Sequence, residues 1–228
     1  MKKKFRKNEI IIHNGNKFIH LDEDSHTIGN CERIAKQIKE LLPDIIMFEL
    51  PRQKNPFEIL NTQRPNQKSE NLIKNIKRNS KQARGNFEII YETIERIWLE
   101  KQHQVLLFRF DAPLELTSNC ITLPNDWQIE GIVWNYLREK YMTQFINENN
   151  DLFIGRKTVI QCHNHHWKNI KFLLKNPSVK MIWKHYFVDF AKSINVETYS
   201  IEKMLNILKK NKRDTLLKYW KLMSDLNE

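Results

Sequence analysis

The spacing of apolar residues changes several times along the chain, and each change marks an element. EIIIHNGNKFIHLD reads as two short strands joined by Asn14-Gly15, a dipeptide that accepts the positive φ angles of a tight hairpin turn. Cys31, Ile34, Ile38 and Leu41 then follow helical spacing until Pro43 stops the helix, and Ile45 to Leu50 forms a short extended segment. Phe87, Ile90, Tyr91, Ile94, Ile97 and Trp98 line one stripe of an amphipathic helix. The continuous run Val105–Phe108 suits a central strand buried on both faces, with Arg109 and Asp111 on one face of its end. Residues 112 to 125 read as a loop or weak hairpin closed by Pro124.

Asp126 can cap a long helix reaching about Asn147, with Ile129, Val133, Leu137 and Tyr141 inward and Glu130 one residue off that stripe. KTVIQCHNHHW, from Lys157 to Trp167, begins as a β-branched strand that, if continued, points His163 and His165 to the same face. Lys168 to Leu174 either extends that strand or turns away as a short helix, and Pro177 and Ser178 begin a helix through Lys192, with Ile182, Trp183, Tyr186, Phe187 and Phe190 on its apolar side. Ser200 caps a helix over Ile201 to Lys210, and Asp214 opens a last one. The expected architecture is α+β, a central antiparallel sheet covered by helices. Residues 1–50 form an N-terminal hairpin-helix accessory unit, 51–86 a basic linker and 87–228 the main domain with C-terminal helices.

Composition narrows the chemistry. With only five glycines among 228 residues, and neither GxGxxG nor GxxxxGK[ST], phosphate-cradling nucleotide loops are excluded. No apolar run approaches a membrane span, and MKKKFRK has no apolar segment behind it, so a soluble cytoplasmic protein with no membrane partner is expected. Cys31, Cys120 and Cys162 are too widely spaced for a zinc finger and fit a reducing compartment.

The net charge of +11 is unevenly placed. It concentrates in residues 1–7, 52–84, 168–192 and 203–221, and the rest of the chain is acidic. That is the footprint of a polyanion binder. The residues expected to hold nucleic acid are Arg78, Lys81, Arg84, Lys168, Lys171, Lys210, Lys212 and Arg213.

Taken in order, the helix, the strand ending RFD, the long helix, the strand with His-x-His and the helices carrying Tyr and Lys resemble the HUH replication endonucleases. They look most like the inovirus-type replication proteins of mobile elements, over about residues 87–200. The resemblance implies a ferredoxin- or RRM-like sheet on which His163 and His165 hold Mg²⁺ or Mn²⁺, with Glu130 or Asp111 as an acidic third ligand. It also implies a tyrosine that attacks a single-stranded DNA phosphodiester. Tyr186 and Tyr199 are both candidates, the latter with Lys203 four residues on. Two other classes compete with it, a non-enzymatic DNA- or RNA-binding accessory, regulator or inhibitor, and a metal-dependent nuclease without a covalent step.

Overall fold

The computed structural model describes residues 9–22, 28–49, 92–94, 96–97, 100, 105–118, 129–175, 185–186 and 201–224. The chain is α+β and divides into two compact units. One, the sheet unit, takes residues up to Glu49, 57–109 and 148–167. The other, the helical unit, takes 50–56, 110–147 and 168–228.

The sheet unit is built on β1 (Glu9–His13), β2 (Asn16–Asp22), β3 (Ile45–Phe48), β4 (Leu106–Arg109) and β5 (Thr158–Cys162), in the order β1-β2-β5-β3-β4. The hairpin turn between β1 and β2 has both central residues at positive φ, Asn14 at 48° and Gly15 at 79°, as a tight two-residue turn requires. Every other pairing is parallel, so the sheet is mixed and the expected antiparallel arrangement is corrected. The physical reason is the connection. Helix α1 (Ile28–Leu41) separates β2 from β3, and a crossover of that length returns the chain in the same direction. The two strands with parallel neighbours on both sides, IIMF and TVIQC, are buried at every position, and such near-continuous burial is what parallel strands show.

Two further corrections follow from the strand order. Val105–Phe108 was expected in the centre, but β4 lies at the sheet edge and the central strand is β5. The hairpin and β3, expected in a separate N-terminal unit, pair with β5 and β4 in one sheet, so these strands share a core with later segments. Phe18, Leu21, Ile45, Ile46, Val159 and Ile160 fill that core, and Ile34 and Ile38 of α1 are buried with them.

The helical unit contains α2 (Leu114–Ser118), where a loop or hairpin was expected, and α3 (Ile129–Glu148). It also takes the larger part of α4 (Asn164–Lys175), with α5 (Ile201–Lys210) and α6 (Asp214–Ser224). Ala112, Leu116, Val133, Leu137, Leu173, Met204, Leu208, Leu216 and Met223 form its apolar core. Asn211 to Arg213 turn the chain between α5 and α6, with Lys212 at φ 54° and Arg213 N–H donating to Leu208 O at 2.9 Å. The expected basic linker, and the helix expected through Lys192 apart from His185 and Tyr186, fall outside the described residues.

Candidate functional site

Parallel strands gather their carboxyl ends at one edge, the usual location of ligand sites in sheets of this kind. Here that edge carries Asp22, Glu49, Arg109 and His163. The expected continuation of β5 through Trp167 does not occur, because the strand ends at Cys162 and α4 begins at Asn164. His163 and His165 therefore do not share a strand face. His163 is the N-cap of α4. Its carbonyl accepts from Trp167 N–H at 3.1 Å, and its Nδ1 accepts from His165 N–H at 3.1 Å. Trp167, Ile170 and Leu173 at helical spacing were the signal, visible in the sequence, that the histidines start a helix.

Glu49 closes this arrangement. One carboxylate oxygen accepts from His163 N–H at 2.8 Å, and the other lies 3.3 Å from His166 Nε2. A carboxylate at a helix N-terminus meets both unsatisfied N–H groups and the positive end of the helix dipole. His20 is buried as well. Its Nε2 donates to Cys162 O at 3.0 Å, and its ring stacks on Trp167 with centroids 4.7 Å apart. His165 remains exposed.

The two acids expected as third metal ligands belong to the helical unit and are engaged there. Asp111 accepts from Arg138 Nε at 3.0 and 3.2 Å and from Ala112 N–H at 2.6 Å. The Arg138 guanidinium also lies 4.7 Å from the Trp134 ring centroid. Glu130 is buried and accepts from Asn211 Nδ2 at 2.6 Å, with Arg213 Nε 3.8 Å away. Among the described residues no group of three or more His, Cys, Asp or Glu side chains is arranged to hold a metal ion. His163 and His165 belong to the sheet unit.

Tyr186, by contrast, is part of a partly buried cluster in the helical unit. Its hydroxyl donates to Glu139, a carboxylate on α3 with no exposed surface. Glu139 also accepts from Asn169 Nδ2 at 2.9 Å, and the Asn169 Oδ1 meets His185 Nε2 at 2.8 Å. Tyr136 packs edge-on against Tyr186 at 5.1 Å, and Phe172 stacks on His185 at 3.9 Å. Burial, reinforced by the Glu139 charge, pushes the Tyr186 phenol well above its ordinary range. Burial also lowers the His185 imidazole, against the opposing pull of Glu139. Tyr186 is accordingly held as a hydrogen-bond donor, not as a ready phenolate.

Glu139, Asn169 and His185 were not anticipated. Glu139 lies off the Val133–Leu137–Tyr141 stripe, and the only hint of its role is that α3 carries polar residues on more than one face. Of the remaining expected residues, Lys168, Lys210 and Lys212 are exposed, while Lys171 and Arg213 are half-buried. Tyr199, Arg78, Lys81, Arg84 and the Lys203 side chain lie outside the described residues. No helix among the described residues is long and apolar enough to cross a membrane.

No family model, curated protein or solved structure matches this chain.

Proposed function

We propose that the protein binds single-stranded nucleic acid on the surface of its helical unit. The observation that supports this reading is the sorting of charge within that unit. Asp111, Glu130 and Glu139 are buried, whereas Lys168, Lys175, Lys209, Lys210, Lys212, Lys218 and Lys221 are exposed. Among the described residues of the unit the exposed acids are Glu115, Glu202 and Asp214, and Glu115 is engaged by Lys218 Nζ at 3.0 Å and by the Tyr219 hydroxyl at 2.9 Å. Turning acids inward makes the surface more basic than composition alone requires, and a basic surface gains affinity for polyanions through counterion release. The turn between α5 and α6 adds to the effect, since Lys209, Lys210 and Lys212 meet at one corner.

Tyr186 does not fit the role of attacking residue in a nicking reaction, because its proton is held on a partly buried hydrogen bond to Glu139 and its phenol is raised. A tyrosine-dependent nicking step with Mg²⁺ or Mn²⁺ therefore falls to Tyr199. The binding reading is tested by fluorescence anisotropy with labelled single-stranded DNA, single-stranded RNA and duplex DNA across a salt series. Replacing Lys209, Lys210 and Lys212 with Gln should weaken binding and flatten the plot of log affinity against log salt by about 2, given about 0.7 per phosphate contact on single strands. An unchanged slope would remove this surface from the interface.

A further inference from the structure

The Glu139 cluster has a direction. The carboxylate of Glu139 can only accept from Asn169, so the amide nitrogen of Asn169 faces it and the amide oxygen faces His185. That oxygen is an acceptor, so His185 Nε2 must carry a proton. The neutral imidazole is then the Nε2–H tautomer, and Nδ1 holds the lone pair. Among the described residues Nδ1 takes part in no hydrogen bond, and His185 is exposed. The ring is pinned from a second side by Phe172 stacked at 3.9 Å. An imidazole oriented by an amide, itself oriented by a buried carboxylate, with its basic nitrogen turned outward, has the organisation of a general base. Lys168 and Lys175, exposed on the helix that carries Asn169 and Phe172, can hold phosphates beside it.

We propose that His185 is the catalytic base of an RNA-cleaving site on the helical unit, with Asn169 and Glu139 as positioning residues. This rests on the nucleic-acid binding proposed above. RNA is the substrate class because its 2′-hydroxyl supplies a nucleophile next to the phosphorus, so that one base beside a phosphate-binding surface suffices to start the reaction. Nδ1 of His185 takes the proton of the 2′-hydroxyl, and the 2′-oxygen forms a bond to the adjacent phosphorus. The bond from phosphorus to the 5′-oxygen breaks, that oxygen takes a proton from water, and the hydroxide so formed takes the proton from the imidazolium. The products are a 2′,3′-cyclic phosphate and a 5′-hydroxyl, with no net change in protons or electrons.

The test uses the full chain, a labelled single-stranded RNA, the same sequence as DNA and the same RNA 2′-O-methylated, with binding read by anisotropy and products by denaturing gel. Cleavage of the RNA alone to cyclic-phosphate ends is expected. His185→Gln should bind RNA within about twofold of wild type and cleave it at least ~100-fold more slowly, the usual contribution of a general base. Asn169→Asp places a negative charge against the imidazole, so the acid limb of the pH–rate profile should move to higher pH. A cleavage whose base is not His185 would leave that limb where it is. RNA bound by the wild type but left intact, or cut equally by His185→Gln, overturns the proposal while leaving the binding reading in place. Failure to bind RNA overturns both. As a measurement independent of any variant, the ¹⁵N shifts of the His185 ring should report the Nε2–H tautomer, and a protonated Nδ1 in the neutral ring would contradict the assignment.

Discussion

Each unit has a carboxylate at the centre of a histidine-containing cluster, and the two clusters behave differently. In the sheet unit Glu49 receives the N–H of His163 at the start of α4 and faces the ring of His166, while His20 donates inward to a carbonyl. In the helical unit Glu139 receives Asn169 and Tyr186, and the chain of hydrogen bonds runs outward to His185. The first cluster spends its imidazoles on capping and packing, whereas the second ends in an imidazole whose basic nitrogen faces away from its partner. Counting histidines in a motif would rank the sheet unit higher. Following each ring nitrogen to its partner reverses the order.

That contrast can be broken most directly by removing the two carboxylates. Glu139 has no exposed surface, so Glu139→Ala strands the buried Asn169 amide and the partly buried Tyr186 hydroxyl and should cost on the order of 3 kcal/mol. Glu49, with 17% of its side chain exposed, leaves groups that water can partly rehydrate, and Glu49→Ala should cost nearer ~1 kcal/mol. Urea denaturation of both variants at neutral pH decides it. A larger loss at Glu49 would mean that the sheet-unit cluster is the one sealed from water.

Alkaline pH sharpens the comparison next. Tyr186 is raised well above 10 and Tyr136 to about 12, both chiefly by burial in the helical unit. Between pH 10 and these folded values the unfolded chain has already released protons that the folded chain retains, so stability falls as pH rises. The slope is about 1.4 kcal/mol per pH unit for each such tyrosine. Tyr186→Phe should remove its share of that slope, at a cost of about 1–2 kcal/mol at neutral pH for the lost hydrogen bond. A parallel decline in wild type and variant would show that the phenol is not sealed in the fold.

The smallest expected effect concerns the capping histidine. His163→Ala should lose about 1 kcal/mol of stability as a helix N-cap, and His165→Ala, exposed on the first turn, less than ~0.5 kcal/mol. A shared metal predicts something else, equal losses of Mn²⁺ affinity in the two variants. Calorimetric titration with Mn²⁺ beside thermal unfolding separates the two accounts.

Much of the secondary structure could be read from local pattern. Asn14-Gly15 announced the hairpin, Pro43 the end of α1, the Ile129–Val133–Leu137 stripe the long helix, and Ser200 and Asp214 the starts of the last two. The parallel sheet was harder, although the unbroken apolar run of IIMF carried a hint of two-sided burial. KTVIQCHNHHW misled because periods of two and 3.6 overlap over so short a stretch, and only the placement of Trp167, Ile170 and Leu173 resolves them.

What the sequence determined by itself, then, was each element whose stability is local, together with the excess of positive charge. The strand order and the Glu139 cluster were decided by tertiary structure alone. β5 enters between β2 and β3, strands far from it along the chain, and Glu139 meets Asn169 and Tyr186 across 30 and 47 residues. The physical reason is that a buried carboxylate must find its donors wherever packing places them, and neither partner leaves a periodic trace in the chain.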